Sequence, residues 1–163
     1  MPSQSGYIRT AQAATLLLAT TAGAMNLSLS LFVIPRLLES PTPLMIQQWS
    51  NMVARTSRIF PPAIWGSGVC FYYLAYTTSS RLFAAAGTLC AAATPWTWRF
   101  IIGINKQLHR KAAEMKTAGA DFTMSKEEEL GAKSLVDQWG LYNLGRGSLV
   151  LTAGILGLYA TLS

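Results

Sequence analysis

Residues 10–35 read TAQAATLLLATTAGAMNLSLSLFVIP, 26 residues between Arg9 and Arg36 without one formally charged side chain. An α-helix rises 1.5 Å per residue, so about 20 apolar residues cross the ~30 Å of hydrocarbon in a bilayer. The run is long enough to span, and Pro35 stops it, because proline removes a donor from the helical ladder. It also contains Ala22-Gly23-Ala24, a small-residue triplet that resembles a processing site. The only basic residue ahead of the triplet is Arg9 and the apolar run continues past it, so the expectation is a span and not a cleaved leader.

Composition extends that reading to the whole chain. Of 163 residues, 51% are hydrophobic and 12% charged, against about a quarter charged in soluble domains. The missing charge points to lipid as the solvent. Uncharged stretches predict three further spans: about 61–78, led by Pro61-Pro62 in a first helical turn; 82–104, which Pro95 should kink; and 140–162. With the first, at about 11–34, they predict an all-α integral membrane four-helix bundle forming one domain over 1–163. Residues 37–58 hold Pro41, Pro43, Gln47, Gln48, Arg55 and Arg58, and read as a turn and a short interfacial helix, with Trp49 at the lipid–water boundary. Residues 105–138 are hydrophilic and read as an extension of the third span, a loop around Gly119 and a new helix. Its start, Ser125-Lys126-Glu127-Glu128, fits a capping box.

The net charge of +6 lies in short segments between the spans, which is membrane topology and not a nucleic-acid face. Four spans put both termini on one side. Of the 13 Lys and Arg residues only Arg9 and Arg81 fall on that side, so both larger loops are expected in the cytoplasm of a multi-pass protein. Cys70 and Cys90 lie inside spans, without C-x-x-C or Cys/His spacing, and predict neither a metal site nor a disulfide framework. Glycines such as Gly140, Gly145 and Gly147 let helices approach closely.

Polar groups inside the spans carry the functional signal. An unpaired amide in hydrocarbon costs several kcal/mol, so Asn26, with Ser30 one turn further on, must face the bundle interior. Both helix–helix bonding and ligand contact would satisfy it. Trp98, Asn105 and His109 are spaced by seven and four residues, one face of a helix, with Arg99 beside them. Trp139, Asn143 and Arg146 make a second face. Arg146 comes more than two turns after Asp137, and costs at least ~2.5 kcal/mol there unless it is paired or snorkels to the interface. Trp65, Tyr72 and Tyr76 share a face of the second span and read as packing or as the wall of a cavity. These groups are expected to converge on an aromatic-lined cavity in the cytoplasmic half, with the helix around Trp49 alongside.

In chain order the motifs are Ser30-Leu31-Phe32-Val33-Ile34-Pro35, Gln48-Trp49, Thr94-Pro95-Trp96-Thr97, Ile104-Asn105-Lys106-Gln107-Leu108 and Leu135-Val136-Asp137-Gln138-Trp139, followed by Asn143 and Arg146. In this order, over nearly the whole chain, the sequence resembles the anthrone oxygenase-like family, four-span membrane proteins of fungal polyketide pathways. The resemblance implies oxidation of an anthrone to an anthraquinone by dioxygen with no cofactor and no metal, in the endoplasmic reticulum or another endomembrane. The partners implied are an apolar polyketide-type small molecule and the bilayer, with dioxygen or water as co-substrate; a homo-oligomer stays open.

Such chemistry needs a base, a cation or hydrogen-bond donor for the enolate oxygen, and a dry cavity. His109, the single histidine, and Asp137 are the candidate bases. Arg99, Arg146, Asn105 and Asn143 are candidate oxyanion partners, and Trp98, Trp139, Tyr72, Tyr76, Trp49 and Asn26 candidate substrate contacts. The same groups would also serve an epoxide hydrolase or cyclase acting on an apolar polyketide. A non-catalytic membrane scaffold would account for the glycines but not for two intramembrane arginines.

Overall fold

The computed structural model describes residues 4–118 and 123–163. The expected loop around Gly119 lies outside the described residues. The described residues are all-helical, in four long rods and one short side helix.

The first rod joins α1 (Gln4–Ser28) to α2 (Ile34–Leu38) through a π-helical segment, Leu29–Val33, in which the N–H of Ile34 donates to the carbonyl of Leu29. Pro35 does not stop the helix as expected, since the rod runs on to Leu38. It accounts for this turn instead, because it has no N–H and its ring would meet the carbonyl four residues back, at Leu31. The side helix α3 (Thr42–Thr56) follows, and the second rod is α4 (Phe60–Thr78), with its two prolines in the first turn as the sequence predicts. Ser79, at φ 54°, makes the left-handed turn out of α4.

The third rod joins α5 (Arg81–Trp96) to α6 (Ile102–Ala118) through a second π segment, Thr97–Ile101. Pro95 lies inside α5, and the irregularity falls just after it. The fourth rod, α7 (Lys126–Leu162), starts with the predicted capping box: Glu128 N–H donates to Ser125 Oγ at 3.2 Å, and Ser125 N–H to Glu128 Oε2 at 2.9 Å.

In cross-section α1 lies between α7 and α4, and α5 lies opposite, between the same two. Two helices, Gly6–Leu38 and Lys126–Leu162, are long and apolar enough to cross a membrane. The α1–α7 seam is closed by Gly23, where an added Cβ would sit 2.6 Å from the backbone nitrogen of Leu151.

The core is divided. One apolar cluster, around Phe71, Phe83, Leu74 and Val150, fills the end near the termini. The other, around Met45, Ile46, Trp49, Leu108, Val136 and Trp139, fills the loop end. Here the expectation for Trp49 is corrected. Its side chain is fully buried and not at a lipid–water boundary, because α3 folds back over the bundle and turns Met45, Ile46, Trp49 and Val53 inward.

Candidate anion site between the two cores

Asn26, Ser30, Asn143 and Arg146 form a polar layer between the two apolar clusters. Arg146 Nη2 donates to Oδ1 of Asn26 at 2.7 Å and to Oδ1 of Asn143 at 2.6 Å. Asn143 Nδ2 donates across the bundle to the Asn26 backbone carbonyl at 2.9 Å and to Ser30 Oγ at 3.0 Å. Asn26 Nδ2 returns to its own helix, donating to the carbonyl of Ala22 at 2.9 Å. Both asparagines are fully buried with their amides engaged, as burial of a polar group demands.

The arginine is less completely served. Its Nε is buried without a partner, and Nη1 makes no hydrogen bond among the described residues. The side chain borders a slot of about 230 Å³ at the bundle surface, between α4 and the third rod. Ile64 and Trp65 line it from α4, and Thr94, Thr97, Trp98 and Ile102 from the other side. Thr97 and Trp98 belong to the second π segment and Ser30 to the first. Single π turns inside α-helices recur at functional sites; these two bracket the cluster.

Of the remaining predicted site residues only Trp98 reaches the slot. Trp98 is 72% exposed at the slot mouth, while Asn105 accepts a 2.8 Å hydrogen bond from Trp139 Nε1 inside the loop-end core. The expected face of Trp98, Asn105 and His109 is therefore split. The π segment inserts a residue between them, and one residue turns a helix by roughly 100°. His109 lies outside the slot, its ring centroid 5.1 Å from that of Trp49 and its Nδ1 3.3 Å from Ser50 Oγ. It borders a separate groove of about 600 Å³ between α3 and α6, with Gln47, Asn51 and Lys116. Trp49 and Trp139 pack edge to face, with ring centroids 6.0 Å apart. Arg99 is exposed, its guanidinium 5.3 Å from the Phe100 ring centre. Asp137 is exposed on the outer face of α7.

The aromatic face of α4 points outward. Tyr76 is 88% exposed, and the Tyr72 hydroxyl pairs with Thr88 Oγ1 at 3.0 Å. Of that face only Trp65 reaches the slot. Thr94, in α5, and Thr97, which opens the π segment, carry no signal in the sequence beyond the Thr-Pro-Trp-Thr motif. Among the described residues no three His, Cys, Asp or Glu side chains are grouped to hold a metal ion.

The fold is thus an all-helical bundle in which a cation held by neutral carboxamides borders an aromatic slot. The anthrone oxygenase family profile matches residues 49–156, and the chain belongs to that family. It is similar to the monooxygenase hypC of Dothistroma septosporum, 31% identical over 146 residues that cover 85% of this chain and 75% of that protein. It is similar also to the anthrone oxygenase AgnL2 of Paecilomyces divaricatus, 31% identical over 147 residues that cover 83% of this chain and 84% of the relative. No solved structure matches it significantly.

Proposed function

We propose that this protein is a membrane-embedded monooxygenase of polyketide-type metabolism that converts an anthrone to an anthraquinone with dioxygen. One anthrone and one dioxygen give one anthraquinone and one water, and the reading needs no cofactor. The observation that carries it is Arg146, tied on one side to two carboxamide oxygens and facing a slot bordered by Trp65 and Trp98. Its guanidinium would hold the enolate oxygen where negative charge develops, and donors fixed in advance in a dry site stabilise such charge strongly. The fused rings would lie between the two indoles. At 230 Å³ the slot is smaller than the ~300–1,000 Å³ pockets of drug-sized ligands, which suits a compact ring system that stays partly in lipid.

All four rods cross the bilayer in this reading, and both larger loops face the cytoplasm. Exposed Leu17, Phe32, Val69, Tyr73, Leu141 and Ile155 give the bundle an apolar surface, and contiguous apolar surface of this kind marks contact with lipid or protein. Arg146 lies ~24 Å along α7 from its end at Leu162, against ~30 Å of hydrocarbon. That depth sets it just inside the cytoplasmic boundary.

The test is dioxygen uptake by the purified protein in detergent with an anthrone substrate. We expect one dioxygen consumed per anthraquinone formed, and a fall of 100-fold or more in kcat for Arg146→Ala, the size of effect seen on losing an oxyanion donor. Turnover of a polyketide without dioxygen uptake would replace this reading with the hydrolase or cyclase one. An Arg146→Ala protein of normal rate would move the site away from the slot.

A further inference from the structure

Among the described residues Arg146 has no counter-charge. The atoms that accept its hydrogen bonds are the neutral Oδ1 oxygens of Asn26 and Asn143. The ion pairs found among the described residues, Arg36–Glu39 and Arg110–Glu114, are exposed and lie away from the slot. A guanidinium keeps its proton in proteins, and a buried charge without a partner is strongly unfavourable. The cluster therefore places a positive charge where an anion would be bound more tightly than a neutral molecule.

Among the described residues the slot also lacks a proton acceptor. Besides Arg146 it is lined by two indoles, two threonine hydroxyls and alkyl groups, with no carboxylate, imidazole, amine, phenol or thiol. Asp137 and His109, the candidate bases, both lie outside it. An enzyme that removed the proton in place would need such a group within hydrogen-bond reach of the substrate carbon.

We infer that this site takes its substrate already ionised, as the enolate or phenolate anion of a fused-ring ketone, and that no side chain removes the proton inside the slot. The inference rests on the proposed oxygenase reading and narrows it to one protonation state. In water the carbon–hydrogen bond opposite the ketone breaks and its proton goes to solvent, leaving the electron pair in the enolate. In the slot that pair passes to dioxygen, forming a carbon–oxygen bond and a peroxide anion. The second hydrogen on that carbon then moves to the outer oxygen as the oxygen–oxygen bond breaks. A carbonyl forms, hydroxide leaves, and hydroxide with the first proton makes water. Arg146 pairs with the ketone oxygen throughout, and its role is to hold the anion.

The probe is 1-hydroxyanthraquinone, which cannot undergo this oxidation and whose phenolate absorbs at longer wavelength than the phenol. Titrated by absorbance with the detergent-solubilised protein and with detergent alone, the bound dye should ionise at a pH at least one unit lower, a tenfold preference for the anion. Arg146→Gln should abolish the shift and Arg146→Lys restore most of it. Asn26→Asp, which puts a carboxylate on Nη2 and keeps the arginine, should abolish it as well, so the result does not depend on one variant folding. A dye that fails to bind, that titrates as in detergent, or that keeps its shift in a folded Arg146→Gln protein overturns the inference. Dioxygen uptake separates the two readings: oxidation with an unshifted dye retains the oxygenase and ends the anion site, and a shifted dye without oxidation does the reverse.

Discussion

At the scale of single residues, Asn26 tests whether the polar layer serves stability or binding. Its Oδ1 takes one of the two hydrogen bonds from Arg146, and its Nδ2 reaches only a carbonyl of its own helix. Asn26→Asp supplies a neutralising carboxylate and gives up a bond of small worth. The thermal midpoint should stay level or rise, while oxidation falls at least tenfold, as a joint measurement of Tm and dioxygen uptake will show. A residue that merely joined helices would move both in the same direction. Glu128 gives a pH prediction of the opposite simplicity. The Ser125 backbone N–H donates to its carboxylate and holds it below its ordinary value of 4.5. A carboxylate depressed in the folded state adds stability above its unfolded value and loses it as pH falls through the folded one. Amide exchange over residues 125–129 should therefore accelerate as pH drops below about 4.5, after correction for intrinsic rates. Glu128→Gln should remove that dependence.

At the scale of elements, the two π segments set the geometry. The first follows from Pro35, and it fixes the register between Asn26 on one side and Ile34 on the other, with Ser30 inside it. Ile34 packs against Gly140, where an added Cβ would lie 2.9 Å from the isoleucine side chain. Pro35→Ala lets the rod relax to a regular helix, which turns one half against the other by roughly 100°. Either the hydrogen bonds to Asn143 or the contact at Gly140 must then give way. Activity should drop tenfold or more with helical content by circular dichroism unchanged; an unchanged rate would show that the bulge does not position the cluster. The helices themselves are legible in the sequence. Uncharged length, the Pro61-Pro62 start and the Ser125–Glu128 box locate them because these are local signals, set by chain chemistry over one or two turns. Pro35 and Pro95 mark where the rods become irregular, but not that each irregularity is a π turn, and with that went the facing of Trp98.

At the scale of the whole molecule, the proposed four-span topology makes a labelling prediction. In a chain carrying Cys70→Ser and Cys90→Ala, a cysteine introduced at Thr117 should react with a membrane-impermeant maleimide only when the cytoplasmic face is accessible. One introduced at Ser163 should react only from the other face. Equal labelling of both from one side would rule out an odd number of crossings between them, and with it the span expected of α7. Resistance to alkaline carbonate extraction belongs to the same test, since peripheral proteins are released.

The sequence by itself determined the helical class, the family, the positions of the long apolar segments and the short list of polar residues that hydrocarbon should not tolerate. Each of these depends on composition or on contacts within a few residues. Only the tertiary structure decided which of those residues meet. Asn26, Asn143 and Arg146 are brought together by rods far apart in the chain, whereas Asp137, His109 and Tyr76 carry equally suggestive chemistry and face elsewhere. Facing is set by register, and register here is shifted by π turns and by Gly23-type close approach between rods. Helical periodicity counted along the chain passes over both.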